Sequence, residues 1–444
     1  MSAIPKQVVL TPSHTLQEKI GVSRNSVHHT ENMKTILMTV LGIVRLATGQ
    51  SLSVTPGRVL VDETTTIRAS GLEPGERVTI RSELIDGMGV QWAAQADFTA
   101  DGQGVVDVSR QAPVGGSYKE LSPMGLIWFM MPVKKDVSAY YAPRDLGPQK
   151  VEFHLLRGGQ KLAAGELEQD AVAEGVRRIP VREDVLRGVL FVPSGEVRRA
   201  AVLVVGGSNG GAPTRQAAWL ASRGFLAFAL AYFHYEDLPQ QLEDIPLEYF
   251  ERGLAWLGSR PEAAPGRLAV MGTSRGGELV LQLGSMFPAI GAVVAYVPAN
   301  VRFPACCRNT GGPAWTWTGR ALPYSLPRFR SPTSEIEVER THGGILMISG
   351  EADGVWRSSE MADEVISRLK RHHFAYSFEN LKYPHAGHAA GRPDIRPAWH
   401  GATRHPISGR INDAGGNAKG DSESSMDSMP KVLAFLRNFA ESSR

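Results

Sequence analysis

Apolar and polar positions follow one pattern before about residue 170 and a different pattern after it. Over residues 51–167, short stretches alternate between apolar and polar side chains and are rich in β-branched residues, most clearly at 60–69 and 77–81. Turn-forming sequences separate these stretches, namely Gly71-Leu72-Glu73-Pro74-Gly75, Asp86-Gly87, Asp101-Gly102 and Gly115-Gly116. Short alternating segments between such turns are typical of antiparallel strands, so we predict an all-β sandwich over residues 51–167.

From about Arg178 onward, continuous apolar runs replace the alternation. Residues 201–205 are all apolar, as expected for a strand that is buried on both faces of a parallel sheet. Further strands are predicted at 225–232, 268–271, 292–297, 345–349 and 376–381. Helices are predicted at 214–222, 247–257 and 359–369, from Arg275 onward, and at the end, where one face carries Val432, Phe435, Leu436 and Phe439. This order of elements predicts a doubly wound α/β domain with a mostly parallel sheet over residues 178–444.

The first fifty residues differ from the rest of the chain. Residues 1–32 are polar and lack a sustained period, so disorder is expected there. Translation from Met33 would place a lysine, the apolar run 35–44 and the small residues 47–49 in the order of a secretory signal, although Arg45 counts against it. The apolar run is about half of what a bilayer requires, so no membrane-spanning segment is predicted. Residues 1–50 are therefore either an export signal or an extension on an intracellular protein.

Composition narrows the class of protein. The chain has 444 residues and a net charge of +3, without a block of Lys and Arg interleaved with aromatic residues, and this argues against nucleic-acid binding. Its two cysteines, Cys306 and Cys307, are adjacent. Neighbours that close rarely form a disulfide, and no histidine pattern accompanies them, so we expect small half-buried side chains and neither a disulfide nor a zinc site.

A candidate nucleophile lies between a predicted strand and a predicted helix, in Gly272-Thr273-Ser274-Arg275-Gly276. Glycines two positions before and after a serine allow the sharp strand-to-helix turn that presents the hydroxyl in α/β hydrolases. The hydroxyl would lie at the positive end of the following helix. The sequence therefore predicts Ser274 as the nucleophile, and the alternative is a purely structural turn.

The partners of a serine nucleophile follow it in this fold in the order Asp or Glu, then His. Asp353 lies in the loop after the strand at 345–349, and Glu351 in the same loop is the alternative. A base is expected in the loop after the next strand, where both His385 and His388 occur. The residues alone do not separate the two histidines.

An oxyanion hole needs backbone N–H groups that point at developing negative charge. The N–H of Arg275, directly after the nucleophile, is one candidate donor. The second is expected from the glycine-rich loop 206–211 after the strand at 201–205, at Gly207 and Ser208. A phosphate-binding loop is the competing interpretation, but the Walker lysine is absent.

These motifs together resemble the type I acyl-CoA thioesterase and bile acid-CoA:amino acid N-acyltransferase family over roughly residues 52–440. The resemblance rests on segments in both halves: 70–79, 123–128, 206–208, 229–239, 247–250, 276–279, Asp353 with Trp356, and Tyr383-Pro384-His385-Ala386-Gly387-His388. It favours His388 as the base. It implies hydrolysis of fatty acyl-CoA through an acyl-serine on Ser274, with Asp353 orienting His388 and with Arg275 and Ser208 as oxyanion donors.

The resemblance also bears on the acyl acceptor. Acyltransferase members carry a cysteine nucleophile, whereas Ser274 would form an oxygen ester that is left mainly to water. Hydrolysis is therefore expected, without a metal or cofactor, and the alternatives are amino-acid N-acylation, a carboxylester or dienelactone-type hydrolase, and a non-catalytic binding protein. The segments 300–337 and 391–394 depart from the family pattern, so chain-length preference is not carried over.

Overall fold

The computed structural model describes residues 49–307, 311–326 and 331–442. The predicted disordered extension or export signal before residue 49 lies outside them. Within these ranges the helices are too short or too polar to span a bilayer.

The first half of the described chain consists of two sheets that share one core. The bounds are β1 Ser51–Thr55, β2 Arg58–Leu60, β3 Thr66–Ser70, β4 Arg77–Ile85, β5 Gln91–Thr99, β6 Val106–Asp107, β7 Gly115–Gly116, α1 Gly125–Trp128, β8 Met131–Pro132, β9 Gln149–Arg157 and β10 Gln160–Asp170. One sheet has the order β1-β3-β6, and the other β2-β10-β9-β4-β5-β7 with β8 beside β5. Because Ile67 of the first sheet and Ile80 and Phe153 of the second are buried in the same cluster, the predicted sandwich is confirmed.

Two predicted features of the sandwich differ in detail. The alternating stretch 60–69 is two strands, because Leu60 accepts a bond from the N–H of Glu63 at 2.9 Å and the chain turns there. The predicted turn at Gly115-Gly116 instead pairs with β5. Gly116 has φ 111°, and a Cβ there would lie 2.3 Å from the carbonyl oxygen of Gln95, so only glycine permits this pairing.

The second half of the chain forms an eight-stranded sheet with helices on both faces. The bounds are β11 Arg177–Glu183, β12 Leu186–Val192, β13 Arg199–Val205, α2 Thr214–Ser222, β14 Leu226–Ala231, β15 Ile245–Pro246, α3 Leu247–Gly258, β16 Ala263–Thr273, α4 Arg275–Met286, β17 Ile290–Tyr296, β18 Trp315–Trp317, β19 Arg320–Ala321, β20 Gly344–Gly350, α5 Ser358–Arg371, β21 Phe378–Tyr383, β22 Thr403–Arg404, β23 Ile411–Asn412 and α6 Ala418–Glu441. The sheet order is β11-β12-β14-β13-β16-β17-β20-β21. From β14 to β21 the strands are parallel, which confirms the doubly wound sheet.

Alternate residues of the central strands explain why helices cover both faces. Val202 and Val204 of β13 are buried with α2 and α6, in the cluster that continues into the sandwich. Leu203 and Val205 are buried on the opposite face with α3, α4 and α5. Both apolar faces of the sheet must be removed from water, so each is covered by helices. The sandwich packs on the face that α2 and α6 cover.

Asp62, in the turn between β2 and β3, joins the sandwich to helix α2. Its carboxylate accepts a hydrogen bond from the indole of Trp219 at 2.7 Å and two from Arg223, at 2.8 and 2.5 Å. Only 6% of the Asp62 side chain is exposed, against 20% for Arg223. This contact is therefore a largely buried ion pair between the two halves of the chain.

Replacing Asp62 by alanine is expected to lower the free energy of unfolding by about 2–3 kcal/mol, because a half-buried guanidinium and an indole N–H lose their acceptor. Glu63 still contacts Arg223 at 3.0 Å, which keeps the loss below that of a fully orphaned ion. Urea denaturation followed by circular dichroism measures the change. Glu360→Ala removes an ion pair with Arg357 whose side chains are 66% and 80% exposed, and it should cost less than about 0.5 kcal/mol. Equal effects of the two substitutions would contradict the prediction.

Candidate functional site

Ser274 lies on a sharp turn between β16 and α4. Its backbone is in the left-handed region, with φ 59° and ψ −118°, and its N–H donates to the carbonyl of Tyr296 at 2.9 Å. A Cβ at Gly272 would lie 2.1 Å from the carbonyl oxygen of Gly276, and one at Gly276 would lie 2.5 Å from that of Gly206. The two glycines of the motif are thus required by close backbone approach. This is the strained turn that the sequence predicts.

The structure brings Ser274, His388 and Asp353 into one hydrogen-bonded chain. The Nε2 atom of His388 lies 2.9 Å from Oγ of Ser274, and its Nδ1 lies 2.8 Å from Oδ2 of Asp353. The Asp353 side chain is 1% exposed, and its Oδ1 accepts the N–H groups of Val355 and Trp356. The carboxylate is held from both sides, so it can orient the imidazole ring toward the serine.

The two alternative residues lie elsewhere. The carboxylate of Glu351 pairs with Lys382 at 3.4 Å and is 43% exposed. His385 is exposed, whereas the N–H of His388 donates to the carbonyl of Ala414 at 2.7 Å, which directs this residue inward. Of each pair that the sequence left open, the structure places Asp353 and His388 at the serine.

The side chain of Arg275 does not face the serine. Its guanidinium lies 3.4 Å from the carboxylate of Glu278 and donates to the carbonyl of Phe303 at 3.1 Å. Burial raises the pKa of Glu278, and the charge of Arg275 opposes this shift. Arg275 can therefore contribute its backbone N–H to the site, while its guanidinium contacts Glu278 and Phe303.

The loop 206–211 contacts Ser274 directly. A Cβ at Gly207 would lie 3.2 Å from Cβ of Ser274 and 3.0 Å from the carbonyl oxygen of Thr273. The next residue, Ser208, lines the same cavity as Ser274 and has its Oγ 3.0 Å from Nε2 of His405. Both predicted loop residues are thus adjacent to the nucleophile, with a histidine that the sequence did not single out.

The protonation of His405 follows from its neighbours. The N–H groups of Ile407 and Ser408 point at Nδ1 of His405, at 3.3 and 3.2 Å. Burial lowers the pKa of His405, which favours the neutral ring. Since Nδ1 accepts, the proton is on Nε2 and is donated to Oγ of Ser208. The Ser208 hydroxyl then accepts from His405, and its own hydrogen is available to another acceptor.

A cavity of about 540 Å³ opens at Ser274 and His388. Val61, Tyr140 and Tyr141, which belong to the sandwich half, line one side. The second half contributes a set of arginines that the sequence analysis did not single out, although two of them lie in or next to the 391–394 departure: Arg215, Arg392, Arg396 and Arg404. The site is therefore built from both halves of the chain.

The cysteine pair contradicts the sequence prediction. Cys306 and Cys307 are joined by a disulfide. Backbone pairing of Cys306 with Leu242 and a bond from the N–H of Cys307 to Gln241 attach the pair to residues 241–242. Both are half-buried as expected. Across the described residues, His, Cys, Asp and Glu form no group of three or more that could hold a metal ion.

The sheet, the serine turn and the Ser274–His388–Asp353 contacts define an α/β hydrolase with an added N-terminal sandwich. Residues 62–183 match the family model "Acyl-CoA thioester hydrolase/BAAT N-terminal region", and residues 245–310 and 325–442 match "BAAT / Acyl-CoA thioester hydrolase C terminal". The chain belongs to this acyl-CoA thioester hydrolase/BAAT family.

Individual relatives extend along most of the chain. It is 32% identical to acyl-coenzyme A thioesterase 6 of Mus musculus over 88% of this chain and 96% of that one. It is 30% identical to acyl-coenzyme A thioesterase 6 of Homo sapiens over 86% and 94%. A solved structure of a putative dienelactone hydrolase from Klebsiella pneumoniae aligns at a TM-score of 0.40 and 15% identity, over 59% of this chain and 98% of that one. The family assignment rests on the first two similarities and on the matches of both halves.

Proposed function

We propose that the protein hydrolyses acyl-CoA thioesters to a free acid and coenzyme A through an acyl-serine intermediate. The observation that carries this proposal is the unbroken chain from Oγ of Ser274 to His388 at 2.9 Å and on to Asp353 at 2.8 Å. Membership of a thioester hydrolase family supports the thioester as the substrate.

In the first half of the reaction His388 acts as the base. As Oγ of Ser274 attacks the thioester carbonyl carbon, its proton moves to Nε2 of His388, and Asp353 stabilises the resulting imidazolium. The carbonyl oxygen becomes an oxyanion between the N–H of Arg275 and the loop at Gly207 and Ser208. Collapse of this intermediate breaks the C–S bond, and His388 returns the proton to the coenzyme A thiolate.

In the second half water replaces the serine as nucleophile. His388 removes a proton from water as its oxygen attacks the acyl-serine carbonyl. The C–Oγ bond then breaks, Oγ of Ser274 regains the proton from His388, and the free acid leaves. An oxygen ester reacts with amines less readily than a thioester does, so the identity of Ser274 favours hydrolysis over amino-acid conjugation.

A chain-length series of acyl-CoA substrates tests the proposed function. For at least one acyl group, the enzyme should release thiol over multiple turnovers. The kcat/KM for that acyl-CoA should be higher than the kcat/KM for the p-nitrophenyl ester of the same acid. A fluorophosphonate probe should label wild type and leave Ser274→Ala unlabelled. A preference for the oxygen esters would favour the carboxylester hydrolase, whereas folded protein without labelling or turnover would refute an enzymatic role for this site.

Removing either Ser208 or His405 is expected to lower kcat while KM changes little. The bond at 3.0 Å leaves the hydrogen of the Ser208 hydroxyl available to the oxyanion, and loss of such a donor costs about 10²- to 10³-fold in kcat. Ser208→Ala, His405→Phe and the double variant are compared by steady-state thiol release. Since the two residues act as one unit, the double variant should be no slower than Ser208→Ala. Additive losses of kcat in the double variant would show that the two residues act separately. A lower unfolding temperature with unchanged kcat would show that their role is structural.

A further inference from the structure

The lining of the cavity at Ser274 is unusually cationic. It carries four arginines, Arg215, Arg392, Arg396 and Arg404, and a single carboxylate, Asp394. Leu, Ile, Met, Phe and Trp do not occur among the described lining residues, where the larger apolar groups are valines and tyrosines. A site for a long unsubstituted alkyl chain would be lined by such residues. The cavity is instead suited to a ligand that carries negative charge.

Asp394 lies near three of these arginines. We call Arg215, Arg392, Asp394 and Arg396 the arginine cluster. Nε of Arg215 lies 3.7 Å from Oδ2 of Asp394, and Nε of Arg396 lies 3.3 Å from its Oδ1. Nη1 of Arg215 is buried without a hydrogen-bond partner. The carboxylate thus pairs with two of the three guanidinium groups, and the cluster has a formal charge of about +2.

Arg392 is the unpaired member of the cluster. In the described part of the chain its guanidinium has neither a hydrogen bond nor an ion pair. Arg392 is exposed and lines the cavity, so its guanidinium is accessible to a ligand. Guanidinium groups that lie near one another repel, so an anion bound here would lower the free energy of the cluster. Such a group is expected where a ligand supplies the missing anion.

The sandwich holds the cluster in place. The N–H of Ile395, between two members of the cluster, donates to the carbonyl of Val61 at 2.6 Å, and its carbonyl accepts from Gln169 at 3.1 Å. The guanidinium of Arg396 lies 5.9 Å from the ring centroid of Tyr140. The backbone at Ile395 and the Arg396 side chain are therefore held in place before any ligand binds, which reduces the ordering entropy lost at these positions.

We propose that the arginine cluster is an anion-binding subsite for an oxyanion of the acyl-CoA substrate, a proposal that rests on the proposed function. Two groups of such a substrate have the required chemistry: a carboxylate at the far end of the acyl group, and a phosphate of the coenzyme A part. The oxygens of a planar carboxylate and those of a tetrahedral phosphate can each accept paired hydrogen bonds from a guanidinium group.

Binding to Ser274→Ala protein tests the subsite without turnover. Isothermal titration compares adipyl-CoA with hexanoyl-CoA, which has the same chain length without the carboxylate, and compares both with their pantetheine thioesters, which lack the charged phosphates of coenzyme A. Each ligand is titrated with and without Arg392→Gln. If the acyl carboxylate is bound, Arg392→Gln should weaken both adipyl ligands roughly 10- to 100-fold and leave both hexanoyl ligands unchanged. If a phosphate is bound, both CoA thioesters should weaken and both pantetheine thioesters should not.

Equal effects on all four ligands, or no effect on any of them, would overturn the subsite. Arg340→Gln, at a surface arginine that is 68% exposed and pairs with Glu337 at 2.8 Å, is the matched control and should change none of the affinities. Because Arg392→Gln removes an unpaired cation, its unfolding temperature should be equal to or above that of the parent. If it fell instead, Arg215→Gln would provide the same comparison. Absence of thiol release by wild type would refute the proposed function and leave this binding test intact.

Discussion

Replacing Ser274 by alanine is expected to lower kcat for acyl-CoA hydrolysis by about 10⁴- to 10⁶-fold, which is the range for removal of a triad nucleophile. Without Oγ no acyl-enzyme can form, and only binding and the oxyanion donors remain to act on a direct attack by water. Alanine and serine meet similar backbone cost at the φ of 59°, so the fold should be retained. Steady-state thiol release at saturating acyl-CoA measures the loss, and KM should change little.

Ser259→Ala is the matched control for this substitution. Ser259 is exposed and its hydroxyl donates to the nearby carbonyl of Trp256 at 2.8 Å, so its loss should leave kcat unchanged. More than about 1% residual turnover in Ser274→Ala, with the same unfolding temperature as wild type, would exclude Ser274 as the nucleophile.

Asp353→Asn is expected to lower kcat by about 10³- to 10⁴-fold through the tautomer of His388. Oδ1 of Asp353 accepts two backbone N–H groups, so an asparagine would keep its oxygen there and turn its NH₂ group toward Nδ1 of His388. Nδ1 would then accept, and the ring proton would move to Nε2, where it faces Ser274. A protonated Nε2 cannot take the serine proton. The kcat of purified variants, together with the rate of fluorophosphonate labelling, should fall in parallel.

The matched control for this prediction is Glu351→Gln in the same loop. Because Glu351 is half exposed and pairs with Lys382, its neutralisation should change kcat by less than about twofold. A larger loss for Glu351→Gln than for Asp353→Asn would reverse the assignment of the orienting carboxylate.

The serine turn is the part of the site that local sequence predicts best. Gly272 and Gly276 lie within two residues of Ser274, and the close approaches that require glycine involve the turn itself and the adjacent strand β13. The flanking strand and helix are also marked by their own apolar periods. The residues next to Ser274 are therefore sufficient to predict the strand-to-helix turn at this position.

The choice between neighbouring candidates is different. His385 and His388 lie in one loop, and the residues around them do not say which imidazole points inward. The difference comes from the bond between the N–H of His388 and the carbonyl of Ala414, which belongs to a later loop. Family resemblance favours the same histidine, but the local residues do not specify it.

The sequence by itself determined the order of the two halves, the buried parallel strands and Ser274, because apolar period and turn chemistry act over a few residues. It did not indicate β11 and β12, whose antiparallel pairing at the sheet edge depends on β14. Only the tertiary structure paired Ser208 with His405 and Arg215 with Asp394. Polar side chains that meet across long stretches of chain have no periodic signal, because their positions are set by the packing of the surrounding elements.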